Sequence, residues 1–203
     1  EYLVFAVFFT LLILSTYGSS GLMNFSISIF FLGMIGGIYT VDNVYPYESF
    51  APFQILVPTT ATFAANILNF MGYQTAFLTS DKPYMPRLST WNSVGGTTFD
   101  IAWPCSGVDS LLIYTVTILL FLKRSTISWK QKVVYFVIGA IITYSINALR
   151  IAALFIIQIN TGGGLAITPQ TLQFHDYYGP LFSIIWIISF PIIIIGSRTL
   201  WSK

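Results

Sequence analysis

Five stretches of this sequence are apolar over most of the length a helix needs to cross a bilayer, about 20 residues. They are Tyr2–Tyr17, Leu22–Tyr39, Ser106–Leu122, Val133–Ile159 and Asp176–Gly196. Lipid offers no partner to backbone polar groups, so such stretches must fold as helices. Charged residues make up 8% of the chain and hydrophobic ones 55%, where an ordinary soluble domain is roughly 25% charged. The mean hydropathy is +0.76. These values exclude a water-soluble enzyme and a disordered or fibrous chain. A net charge of +2 is too small for a nucleic-acid-binding face. One cysteine excludes an internal disulfide framework and a four-cysteine zinc site. The expected fold is an all-α polytopic membrane protein. It is a single transmembrane domain over residues 1–203 with about five or six spanning helices.

The first stretch begins after one residue, an abruptness expected of a chain that is longer at its N-terminus or starts in mid-bundle. It lacks a basic flank and a small-residue cleavage site, so it reads as a retained span. Tyr17–Gly21 reads as a turn into the second stretch. Phe50–Gly72 has apolar residues at helical spacing and a polar face with Gln54, threonines and asparagines. Two readings fit it: a sixth span whose polar face looks into the bundle, or an interfacial or re-entrant helix. Residues 73–104 are too polar to span. They hold Lys82, Arg87 and Gly95-Gly96, and the strand-forming run Thr97–Trp103 suggests a small hairpin. Asn160–Phe174 carries Gly162-Gly163-Gly164 without the Lys-Ser/Thr of a phosphate loop and reads as flexible chain.

The loop Lys123–Lys132 contains Lys123, Arg124, Lys130 and Lys132 and no acid, which predicts that it is cytoplasmic. Arg198 and Lys203 mark a second cytoplasmic end, and residues 73–104 then form an extracytoplasmic loop. At about 1.5 Å per helical residue, Cys105 and Arg150 each lie roughly 27 Å above the inner boundary, and His175 roughly 34 Å. The only cysteine, the only histidine and the only arginine buried within a span thus arrive at one level from three elements.

Each has a bland reading. A lone cysteine usually fills apolar space, and a histidine at the mouth of a span usually satisfies interfacial hydrogen bonds. An intramembrane arginine is costly, and marks either function or a structural ion pair; Asp109, at a similar depth, is the obvious partner. Their neighbourhoods favour chemistry. Pro104 predicts a helix start that puts Cys105 in the first turn, where the helix dipole favours a thiolate. Asn147 shares a helix face with Arg150. His175 with one cysteine makes a poor zinc site, and no metal or cofactor is expected.

Cys105-Ser106-Gly107-Val108-Asp109-Ser110-Leu111, then Asn147-Ala148-Leu149-Arg150-Ile151, then Phe174-His175-Asp176-Tyr177-Tyr178-Gly179 closely resemble the three signature blocks of the exosortase/archaeosortase family. The likeness extends over roughly the C-terminal three quarters of the chain; no single block is specific, but the ordered set is. The resemblance implies a cysteine transpeptidase of prokaryotic cell membranes, with its site on the extracytoplasmic side. It would cleave a C-terminal sorting signal (motif, transmembrane helix, basic cluster) and pass the new C-terminus to a lipid or other surface acceptor. Cys105 would be nucleophile, His175 acid and base, and Arg150 oxyanion partner, supported by Asn147, Ser106 and Asp109. Many exosortases resemble one another in carrying a base where Asp109 stands, so this chain departs from them beside the nucleophile. Two rivals remain. One is a non-catalytic transport or assembly protein built around an Asp109–Arg150 ion pair. The other is a serine hydrolase using Ser106 or Ser110.

Overall fold

The computed structural model describes residues 1–45, 54–80 and 85–201, without the side chains of Asp42, Arg124 and residues 198–201. Lys82, Lys203 and the start of the Phe50–Gly72 stretch lie outside these residues, as do the side chains of Arg124 and Arg198, which contributed to the predicted sidedness.

The helices are α1 (Tyr2–Asn24), α2 (Ser26–Val44), α3 (Val57–Phe70), α4 (Val108–Arg124), α5 (Trp129–Asn160), α6 (Pro169–Gln173) and α7 (Gly179–Trp201). Three strands, β1 (Gln74–Leu78), β2 (Arg87–Trp91) and β3 (Gly96–Asp100), stand between α3 and α4. Helices dominate, and among the described residues three are long and apolar enough to cross a membrane: α1, α5, and the run from Pro169 through most of α7. The shorter α2 is apolar over Ser26–Val41, while α4, the fifth expected span, is a helix of 17 residues.

The predicted turn at Tyr17–Gly21 is a kink inside α1, where Gly18 takes φ 63°. The helix resumes to Asn24 and reverses at Phe25. The α1–α2 hairpin is tight because Gly36 has no side chain: a Cβ there would sit 2.7 Å from Leu3 Cα. Helix α3 is the long helix among the described residues of the Phe50–Gly72 segment. Its fourteen residues rise about 21 Å, short of the roughly 30 Å hydrocarbon core. Its apolar side and Thr60 turn inward while Thr59, Thr62, Asn66 and Asn69 face out. Gln54, just ahead of the helix, is buried like Thr60, so the polar residues of the segment divide between the inner and outer sides. Gly72, at φ 90°, ends it, and the Tyr73 N–H reaches back to the Leu68 carbonyl at 3.0 Å.

The strands form an antiparallel meander in the order β1-β2-β3, larger than the expected hairpin. Asn92 Oδ1 accepts from the Val94 and Gly95 N–H groups and shapes the β2–β3 turn. Across the register pair Arg87 and Asp100, the guanidinium holds both carboxylate oxygens at 2.7 and 3.0 Å. One core joins α3, the sheet and α5 through Ala61, Leu68, Leu88, Trp103 and Phe155. A second joins α4, α5 and α7 around Tyr114, whose hydroxyl donates to the Phe136 carbonyl at 2.8 Å. A side chain at Gly139 would collide with that hydroxyl. Trp186 Nε1 donates to Thr143 Oγ1 at 3.1 Å, tying α7 to α5. Such links replace the hydrophobic drive that lipid removes.

The glycine triplet is not loose. Gln158 is fully buried; its amide nitrogen donates to the Ala166 carbonyl at 2.6 Å and its oxygen accepts from the Thr168 N–H at 3.1 Å. Gly164 N–H bonds the Gly96 carbonyl at 2.9 Å, so the loop lies on the edge of β3. Sequence reasoning missed this because glycine reports freedom of the backbone, not what holds it.

Candidate active site

Cys105 sits in a 3-10 turn, Trp103–Ser106, ahead of α4 rather than in its first turn. Pro104 does open the turn, but Gly107 at φ 89° breaks it and becomes the N-cap of α4. The Cys105 N–H already bonds the Ala102 carbonyl at 3.0 Å. The free first-turn N–H groups of α4 therefore belong to residues after Gly107. That glycine is needed twice: for its positive φ, and because a Cβ would lie 2.8 Å from Asn147 Nδ2.

Around the turn, side chains fix the backbone. Asn147, 2% exposed, donates from Nδ2 to the Cys105 carbonyl at 2.9 Å. Thr60 Oγ1 lies 3.0 Å from the Ser106 carbonyl and 2.8 Å from the Tyr144 hydroxyl. Ser106 is buried, its hydroxyl donating to the Trp103 carbonyl at 2.6 Å. Ser110 bonds Ser183 at 3.3 Å. Both serines thus have other hydrogen-bond partners than His175, which leaves the serine-hydrolase reading without support.

His175 lies in a π-helical turn, Phe174–Tyr178, between α6 and α7. Its Nδ1 is 2.8 Å from Asp176 Oδ1. With the carboxylate accepting from Nδ1–H, Nε2 is the nitrogen left free. The Cys105 thiol is within hydrogen-bonding reach of this imidazole. Arg150 donates from a terminal nitrogen to the His175 carbonyl at 2.9 Å, and Cys105, Asp109 and Asp176 all lie within its electrostatic reach. Gly179 makes room for it, since a Cβ there would collide with the guanidinium.

The fold thus brings Cys105, Arg150 and His175 together from a turn, a helix and a second turn. Asn147 holds the cysteine backbone, and Ser106 is internal to its turn. Asp109 acts on Arg150 through space, while the guanidinium's hydrogen bond goes to His175. The expected contact pair between them, the premise of the non-catalytic reading, is not formed. Asp176 and Gly179 were not singled out by sequence reasoning. The available signal was an acid adjoining the chain's only histidine.

Two cavities meet at this cluster. One, of about 310 Å³, is walled by Phe99, Ile101, Phe155 and Leu172; the other, of about 300 Å³, holds Asp109, Asn147 and Arg150 between α4, α5 and α7. Cys105 and His175 border both. Among the described residues, no three His, Cys, Asp or Glu side chains converge to hold a metal ion.

A thiol, an imidazole and a guanidinium thus gather at one end of the bundle of a helical membrane protein. The profile of the transmembrane exosortases matches residues 1–192, and the chain belongs to that family. No curated protein and no solved structure matches it.

Proposed function

We propose that this exosortase is a cysteine transpeptidase that works on the extracytoplasmic side of a prokaryotic cell membrane, into which residues 73–104 project. Its substrates are surface proteins ending in a motif, a transmembrane helix and a basic cluster. The Cys105 thiolate attacks the scissile carbonyl, forming the C–S bond of a thioester. The C–N bond breaks as His175 protonates the leaving amine, and the C-terminal helix is released. His175 then takes the proton of an incoming nucleophile, a membrane lipid or other surface acceptor, which displaces the thiolate. Arg150 stabilises the oxyanion of both tetrahedral intermediates; one donor of this kind is worth about 100- to 1,000-fold in rate. With its Nδ2 on the Cys105 carbonyl, Asn147 acts by holding the nucleophile's turn.

The observation that carries this reading is the meeting of three residues far apart in sequence: Cys105 and His175, which border both cavities, and Arg150, which lines one of them and bonds the His175 carbonyl. Co-expression with a surface protein bearing such a C-terminal signal tests it. Cys105→Ala and Cys105→Ser should insert normally and leave the signal uncleaved. Processing by Cys105→Ala at the wild-type rate overturns the reading.

A further inference from the structure

At the end of the bundle away from Cys105, the α4–α5 loop meets the α1–α2 turn, where Lys123 Nζ lies 3.4 Å from the Asn24 carbonyl. Beside this contact is a groove of about 360 Å³. Ile27, Leu119, Val133 and Phe136 wall it, and Lys123, Lys132 and Trp129 form its rim. Lys132 is half-buried, so its alkyl stem covers apolar surface while the ammonium reaches the edge. Trp129 is 78% exposed at the depth where tryptophan anchors membrane proteins. The first turn of α5 carries no acid, and Ser128 makes no capping bond, so no side chain offsets the positive end of that helix. Residues 123–132 contain no acid at all.

We propose that this groove binds an anionic phospholipid of the cytoplasmic leaflet, with an acyl chain along the apolar wall and the headgroup between Lys123 and Lys132. The charge at the rim selects the occupant. A zwitterionic lipid fills the same wall, but its phosphate is already balanced by its own cation, so it gains little from the two lysines. Basic pockets between spanning helices on the cytoplasmic side suit anionic headgroups for the same reason. The site is separate from the Cys105 cluster, which lies roughly 27 Å away along α4. It stands whether or not that cluster is catalytic.

The whole chain in nanodiscs tests it, with acyl-brominated phosphatidylglycerol or acyl-brominated phosphatidylcholine as the quencher in a phosphatidylcholine background. Subtracting the emission of Trp129→Phe isolates Trp129. Brominated phosphatidylglycerol should quench Trp129 at roughly one thirtieth of the mole fraction that brominated phosphatidylcholine needs, the scale set by two lysines at about 1 kcal/mol each at a membrane surface. Any preference of the tryptophans remaining in Trp129→Phe should be unchanged by Lys123→Gln/Lys132→Gln. The double variant Lys123→Gln/Lys132→Gln should lose the Trp129 preference, and Lys130→Gln, outside the groove lining, should keep it. Equal quenching of Trp129 by the two lipids overturns the proposal. So does a Trp129 preference that survives the double change.

Discussion

Arg150 and Asp176 flank His175 on opposite sides, one on its carbonyl and one on its ring. A lysine at position 150 keeps the charge but cannot hold the histidine backbone and face an oxyanion in one plane. Arg150→Lys should therefore lose about 100-fold or more in processing rate, with thermal unfolding in detergent nearly unchanged. An unfolding midpoint that falls along with activity makes Arg150 a structural residue first. Asp176→Asn should be as damaging for a different reason. An amide at this position can donate to Nδ1 and turn the wrong nitrogen towards Cys105, a change that costs about 10,000-fold in a serine-protease triad. A processing rate within a few-fold of wild type removes Asp176 from the mechanism.

The glycines show most clearly how elements hold the cluster. Gly179→Ala adds a methyl where the guanidinium lies and should lower activity while sparing stability. Gly107→Ala faces both a positive φ and the Asn147 amide, so it should destabilise by about 1–3 kcal/mol; unfolding of the two variants beside wild type separates the cases. Gln158→Leu would strand the Ala166 carbonyl and the Thr168 N–H. Amide exchange across residues 162–168 should accelerate more than elsewhere. Much of the framework was legible because its signals are scarcities: few charges, one cysteine, one histidine, one arginine in a span. What escaped was carried by contact. Pro104 predicted a helix start correctly in kind, but Gly107 displaced the helix by one turn. Thr60 and Gln158 look like ordinary polar residues on helices, and only the fold reveals that they serve carbonyls on other segments. The polar face of α3 had two possible directions, and helical spacing does not distinguish inward from outward.

At the scale of the molecule, sidedness is the first thing to measure. A membrane-impermeant thiol reagent should label Cys105 in intact cells. In a Cys105→Ala background, Ser128→Cys should label only after permeabilisation, and the reverse pattern inverts the orientation drawn from the basic loop. The two cavities carry a kinetic consequence. Because Cys105 and His175 form their common boundary, a molecule seated in one leaves the other vacant. On the transpeptidase function proposed above, departing helix and incoming acceptor would then not need to take turns in a single port, and the acceptor could be in place before the thioester exists. An unreactive acceptor mimic should accordingly depress maximal turnover without competing with the protein substrate. Water would meet a filled chamber rather than an open one, which keeps the acyl group for transfer instead of hydrolysis.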